Sequence, residues 1–138
     1  MTPKRQRVIF FLVIALGAYP ACLLAFVWYH VLTTQLPGGR HGPLDAYRHT
    51  LASAFVSFTV GSWTVDCVSA VMESGDLRSN AMDRQNNSIG ASIGLEAVHF
   101  EDLEPLVAAQ VNAGAENATN ADQTTWLPEI DWQDGKLW

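Results

Sequence analysis

From Val8 to Trp28 the chain carries no charged or strongly polar side chain, and the apolar run continues to Leu32 with only His30 breaking it. A helix of roughly 20 such residues crosses a hydrocarbon core of about 30 Å. Trp28 and Tyr29 fall where an interfacial aromatic belt would lie. Pro20 predicts a kink rather than a break, because neighbouring groups can satisfy the freed carbonyl. Beyond this block the pattern becomes amphipathic. Leu44, Tyr47, Leu51, Ala54, Phe55 and Phe58 recur at helical spacing, predicting a helix from Leu44 to Val60. Ala52 and Val56 lie beside that stripe, so this helix is expected to be buried on two sides. A second helix is predicted from Trp63 to Glu73, capped by Ser62 and ended by Gly75. A third runs from a cap at Ser79 or Asn80 to Ala97, with Gly90 and Gly94 four apart on its apolar face, a spacing that lets another helix come close. A fourth covers Glu101 to Val111, with Pro105 in its first turn. No run alternates long enough to predict a strand. The expected fold class is all-α: one N-terminal transmembrane helix, a bundle of three to four small helices, and an irregular C-terminal tail.

These patterns divide the chain into a basic N-terminus (1–7), a transmembrane signal anchor (8–32), a hinge (33–42), a helical domain (43–111), a flexible linker (112–125) and an aromatic-acidic tail (126–138). The hinge is read from two prolines and three glycines between Gln35 and Pro43. The linker is read from its Ala, Asn, Thr and Asp content. Charge adds a direction. Lys4, Arg5 and Arg7 precede the apolar block and are expected to stay cytoplasmic. All 14 acidic residues follow the block, against five basic ones, a net charge of −9. The expected location is a bacterial inner membrane, with the domain on the extracytoplasmic side. A cleaved signal peptide is the alternative, although its apolar core is usually shorter than this one. The acidity argues against nucleic acid as a partner. It leaves the lipid bilayer and other membrane-complex subunits as the expected partners. Cys22 lies in the apolar block and Cys67 in the domain, so no intrachain disulfide is expected.

Candidate chemistry comes from polar residues set on apolar helices. Asp45 and His49 are four apart on one helix face, with Arg48 beside them. Glu73 ends the second helix, and Asp83, Asn86 and Asn87 open the third. If the helices pack together, His49, Glu73 and Asp83 are the candidate catalytic residues. A carboxylate fixes the tautomer of the imidazole and raises its basicity. A second, desolvated carboxyl serves as an acid. Asp45, Arg48, Asn86 and Asn87 form the expected supporting polar network. The bland reading is a satisfied hydrogen-bond network that only ties helices together. No paired-histidine or cysteine spacing points to a metal, and no cofactor motif occurs. In the tail, Trp126, Trp132 and Trp138 stand among acids and are expected to bind a partner, or else to pack back on their own domain.

Gly42-Pro43-Leu44-Asp45-Ala46-Tyr47-Arg48-His49, then Glu73, then Met82-Asp83-Arg84-Gln85-Asn86-Asn87-Ser88-Ile89-Gly90 together resemble an uncharacterised bacterial helical domain family. Its pattern is G-x-x-D-A-x-R-H, a His-Glu pair, and M-D-x-x-N-N-x-x-G. The resemblance covers roughly residues 41–95. It implies a small α-helical domain of secreted or surface proteins with a hydrolase-like site at Asp45, Arg48, His49, Glu73, Asp83, Asn86 and Asn87. The chain departs from the pattern at Thr50-Leu51, in place of aromatic residues, and at Met72, in place of the histidine before the glutamate. The sequence supports two functional expectations. One is a single-pass accessory or structural subunit of a membrane or envelope complex, bound through its acidic domain and tail. The other is a membrane-tethered hydrolase acting on cell wall or another extracytoplasmic polymer.

Overall fold

The computed structural model describes residues 2–114 and 125–135. Five α-helices, α1 (Pro3–Thr33), α2 (Pro43–Thr59), α3 (Ser62–Met72), α4 (Arg78–Glu96) and α5 (Leu103–Asn112), follow in order. Single 3-10 turns lie at Phe100–Asp102 and Glu129–Asp131. No strand occurs among the described residues, apart from one isolated antiparallel bridge between Arg40 and Gln133. The all-α expectation therefore holds, and among the described residues only α1 is long and apolar enough to cross a membrane. Pro20 sits inside α1 without ending it.

Local chemistry accounts for the boundaries. Pro43 occupies the first turn of α2, where its missing N–H costs no helical bond. Asp45, in the same turn, accepts the His41 backbone N–H at 2.8 Å. Gly61, at φ 127°, breaks α2 from α3 in a conformation that L side chains rarely adopt. Two expected caps shift by a residue or two. Ser62 is the first residue of α3 rather than its cap, and α4 starts at Arg78, with Leu77 as the N-cap. Neither N-cap, Gly61 or Leu77, has a side chain that can accept a capping hydrogen bond, so nothing pins these starts to Ser62, Ser79 or Asn80.

α2 is the central element and touches all four other helices. It runs parallel to α4, and the glycine stripe explains how closely. A Cβ at Gly90 would fall on the Thr50 carbonyl and the Ser53 side chain, and one at Gly94 on the Ala54 carbonyl and Ser57. The core gathers Val27 and Val31 of α1, Tyr47 and Leu51 of α2, and Leu103 and Val107 of α5. α1 thus also contributes to this core. Its C-terminal half is antiparallel to α2 and belongs to the domain.

The expected hinge is likewise a closed turn. Trp132 lies over Gly38 and Gly42, where a Cβ would come within about 3.0 Å and 3.1 Å of the indole. Arg40 pairs with Gln133 through two backbone hydrogen bonds of 3.3 and 2.9 Å. The start of the expected tail folds back as a strap over the domain. The Leu127 N–H donates to the His41 carbonyl at 2.9 Å, and Trp132 Nε1 to the Leu127 carbonyl at 2.7 Å. Of the expected linker and tail, residues 115–124 and 136–138, with Trp138 among them, lie outside the described residues.

Candidate functional site

The first turns of α2 place Asp45, Arg48 and His49 one above the other, and the start of α4 brings Asp83 to the same point. Asp45 is buried, at 4% exposure, and its Oδ1 receives Arg48 Nη2 at 2.5 Å. His49 Nε2 is 3.7 Å from Asp45 Oδ1, 3.4 Å from Asp83 Oδ1 and 3.1 Å from Arg48 Nη2. Asn87 hydrogen-bonds the same imidazole. It is itself held by the Ser53 hydroxyl, which donates to its Oδ1 at 3.0 Å, while its Nδ2 donates to Ser69 Oγ at 3.3 Å. His41 lies at the edge of this cluster, its Nδ1 4.0 Å from Asp45 Oδ2.

Burial separates the proton affinities. It pushes His49 below its ordinary value of 6.5, the nearby Asp45 only partly offsetting this, so the imidazole is neutral at pH 7. Burial pushes Asp83 the other way, up to about 8, reinforced by the charges of Asp45 and Glu73. Its Oδ1 is buried without a hydrogen-bond partner, which favours the neutral acid. The cluster is therefore an Asp45–Arg48 ion pair beside a neutral imidazole and a protonated carboxyl.

Ligand-type atoms of Asp45, His49 and Asp83 lie within 4.8 Å of one another, a spacing that suits a metal ion. The Arg48 guanidinium contacts both Asp45 Oδ1 and His49 Nε2, and so supplies the positive charge that a cation would bring.

His49 also opens onto a cavity of about 430 Å³ between α1, α2 and α3. That size is in the range of small-molecule sites. Glu73 and Asn87 share its polar end, whereas Tyr19, Leu23, Val56 and Val68 form apolar wall. Met72 lines it with a thioether where a histidine would have offered a second imidazole. Glu73 caps α3, and its backbone carbonyl accepts Arg84 Nη1 at 2.5 Å. Burial raises the Glu73 carboxyl above 4.5, with Arg84 opposing. A neutral base and a carboxyl biased towards its acid form thus face one apolar space.

Among the predicted site residues, then, Asp45, Arg48, His49, Asp83 and Asn87 meet directly, and Glu73 joins them through the cavity. Asn86 does not. It is buried on another face of α4, and its Nδ2 donates to the Thr125 carbonyl at 2.9 Å, tying down the strap. Trp126 and Trp132 are partly buried in intramolecular contacts. Sequence reasoning missed Tyr19 and Leu23, since an apolar run looks the same whether it faces lipid or protein. The signal for Tyr19 was a phenol inside that run. Its Oη lies 2.7 Å from Thr59 Oγ1.

Comparison with known protein families, with curated proteins and with solved structures gives no match to this chain, so the meaning of the site rests on its geometry.

Proposed function

We propose that the protein is a membrane-tethered hydrolase working by general acid–base catalysis, with His49 as base and Glu73 as acid. The observation that carries this reading is that one cavity is lined by both residues, backed by Asp45, Arg48 and Asp83 around the imidazole. His49 takes a proton from water as the water oxygen adds to the substrate. Glu73 gives its proton to the leaving oxygen. The proton on the imidazole then returns to the Glu73 carboxylate through solvent. Asp45 steadies the imidazolium in between, acting as a positioning residue. α1 is read as the anchor, its basic end cytoplasmic and the acidic domain extracytoplasmic, on the distribution of charge about the apolar run.

The test is hydrolysis of p-nitrophenyl butyrate by detergent-solubilised full-length protein. His49→Ala and Glu73→Gln are expected to lower turnover roughly 10²–10⁴-fold, with thermal melts like that of the wild type. A wild-type protein that leaves the ester intact, or variants that lose folding and turnover together, would overturn the assignment.

A second reading, an accessory subunit of a membrane assembly, is favoured by Ile130. That residue stands 92% exposed on the strap, between Glu129 and Asp131. Mild-detergent purification followed by quantitative mass spectrometry separates the two readings. Companions at fixed stoichiometry support the subunit.

A further inference from the structure

The position of α1 against the domain sets how deep the domain sits. Tyr19 is level with Thr59 at the foot of α2. Phe26 packs on Phe55, with ring centroids 5.3 Å apart, and Val31 lies beside Leu44 and Arg48 near the head. Below Tyr19 the free apolar part of α1 is only Val8 to Ala18. At 1.5 Å per residue that is about 16 Å, about half of a 30 Å hydrocarbon core. If α1 spans the bilayer, the remaining half must be crossed by the stretch of α1 that is packed on the domain. The foot of the domain is then sunk in the outer leaflet.

The surface at that end exposes apolar side chains, interspersed with the carboxylates Asp66 and Glu96. Val60 and Trp63 at the α2–α3 junction are exposed, Trp63 to 64%. Leu95 and Val98, at the parallel end of α4, are also exposed, Val98 to 77%. Along α2, His49 is ten residues above Thr59, about 15 Å. Added to the 16 Å below Tyr19, this brings His49 to the top of the hydrocarbon core, the depth of lipid ester groups. The cavity runs between these levels. Its apolar wall of Tyr19, Val56 and Val65 lies at acyl-chain depth, and its polar end of His49, Glu73 and Asn87 at ester depth. α1 is itself one wall, so the space is continuous with the lipid around the anchor.

We infer that the substrate is a membrane glycerophospholipid that enters sideways from the outer leaflet, one acyl chain in the cavity and its ester at His49 and Glu73. The inference rests on the hydrolase reading and names its substrate class. The net charge of −9 beyond the apolar block disfavours anionic headgroups, so a zwitterionic phosphatidylethanolamine fits best. Water adds to the ester carbonyl as His49 takes its proton. The bond from the carbonyl carbon to the glycerol oxygen breaks, and Glu73 protonates that oxygen. The products are one fatty acid and one lysophospholipid.

The experiment uses full-length protein in phosphatidylcholine vesicles doped with phosphatidylethanolamine that carries a diazirine in its acyl chain. Adducts are mapped by mass spectrometry, and fatty-acid release from phosphatidylethanolamine is measured in parallel. The expected adducts fall on Val56, Val65 and Val68. Val68→Trp fills the cavity from an exposed position and is expected to lower both these adducts and fatty-acid release at least tenfold, with its melting temperature unchanged. Adducts confined to the Phe10–Leu16 stretch, or undiminished release by Val68→Trp, would overturn the inference. The two readings fail separately. Cavity adducts without cleavage of any ester keep the lipid site and remove the hydrolase. His49-dependent cleavage of p-nitrophenyl butyrate without cavity adducts keeps the hydrolase and removes the lipid.

Discussion

His49 Nε2 and Asp83 Oδ1 stand 3.4 Å apart, brought together from the first turns of α2 and α4 by the glycine-stripe contact of those helices. Each is held in its uncharged form by the same burial. This pairing of a neutral base with a neutral acid governs how the protein should respond to pH.

The first consequence concerns stability. A carboxyl whose value is raised on folding contributes fully below its unfolded value near 3.8, and its contribution is lost as pH rises towards the folded value of about 8. Wild-type stability should therefore fall from pH 4 to pH 8 by up to a few kcal/mol on this account. Asp83→Asn keeps the neutral shape and cannot ionise. It should match the wild type near pH 4 and exceed it at pH 8. Chemical denaturation in detergent across that range checks this, and parallel curves for the two proteins would contradict it.

The second concerns rate. The proposed acid–base mechanism needs His49 deprotonated and Glu73 protonated. His49 is lowered from 6.5 by burial, with Asp45 opposing and Arg48 and Arg40 assisting. Glu73 is raised from 4.5 by burial and Asp45, with Arg84, Arg40 and Arg48 opposing. The two limits approach each other, so kcat/KM should describe a bell on the acid side of neutrality. Glu73→Gln should remove its alkaline limb along with most of the rate. A profile rising steadily to pH 9 would exclude Glu73 as the acid.

The third concerns the helix contact that builds the site. A methyl group at Gly90 or Gly94 would meet the α2 backbone, so Gly90→Ala and Gly94→Ala should each cost about 1–3 kcal/mol or more. Gly17, in α1, has nothing within 4 Å of a Cβ, so Gly17→Ala should leave the domain unchanged. Thermal melts of the three variants decide this, and a tolerated Gly94→Ala would mean that the helices are further apart.

Much of this contact was legible in the sequence. The helical period marks α2, cap and breaker residues mark the later helices, the four-residue spacing of Gly90 and Gly94 marks a close approach, and Asp45 and His49 at i and i+4 mark a shared face. Other features lay outside local patterning. Asn86 and Asn87 are neighbours in the chain, but a helix turns about 100° between them. One therefore faces the strap and the other the imidazole, and only the packing of α4 decides which. Val27 and Val31 belong to a run that reads as lipid-facing throughout, so their place in the core depends on the return of α2. The pairing of Arg40 with Gln133 joins residues far apart in sequence through backbone groups, which no side-chain pattern announces.

The last prediction concerns that strap. Asn86 donates to the Thr125 carbonyl at 2.9 Å from a position that is 1% exposed. Asn86→Ala leaves that carbonyl without its donor and should cost about 1–3 kcal/mol. Trp132→Ala uncovers Gly38 and Gly42 and removes the indole N–H from the Leu127 carbonyl. Both changes should free the segment from Thr125 to Gly135 and speed its proteolysis, and deleting residues 126–138 should lower the melting temperature. A docking peptide behaves differently: its deletion would release a partner and leave the melt unchanged. Measuring the melt and the co-purifying proteins on the same deletion variant therefore assigns the tryptophans to one role or the other.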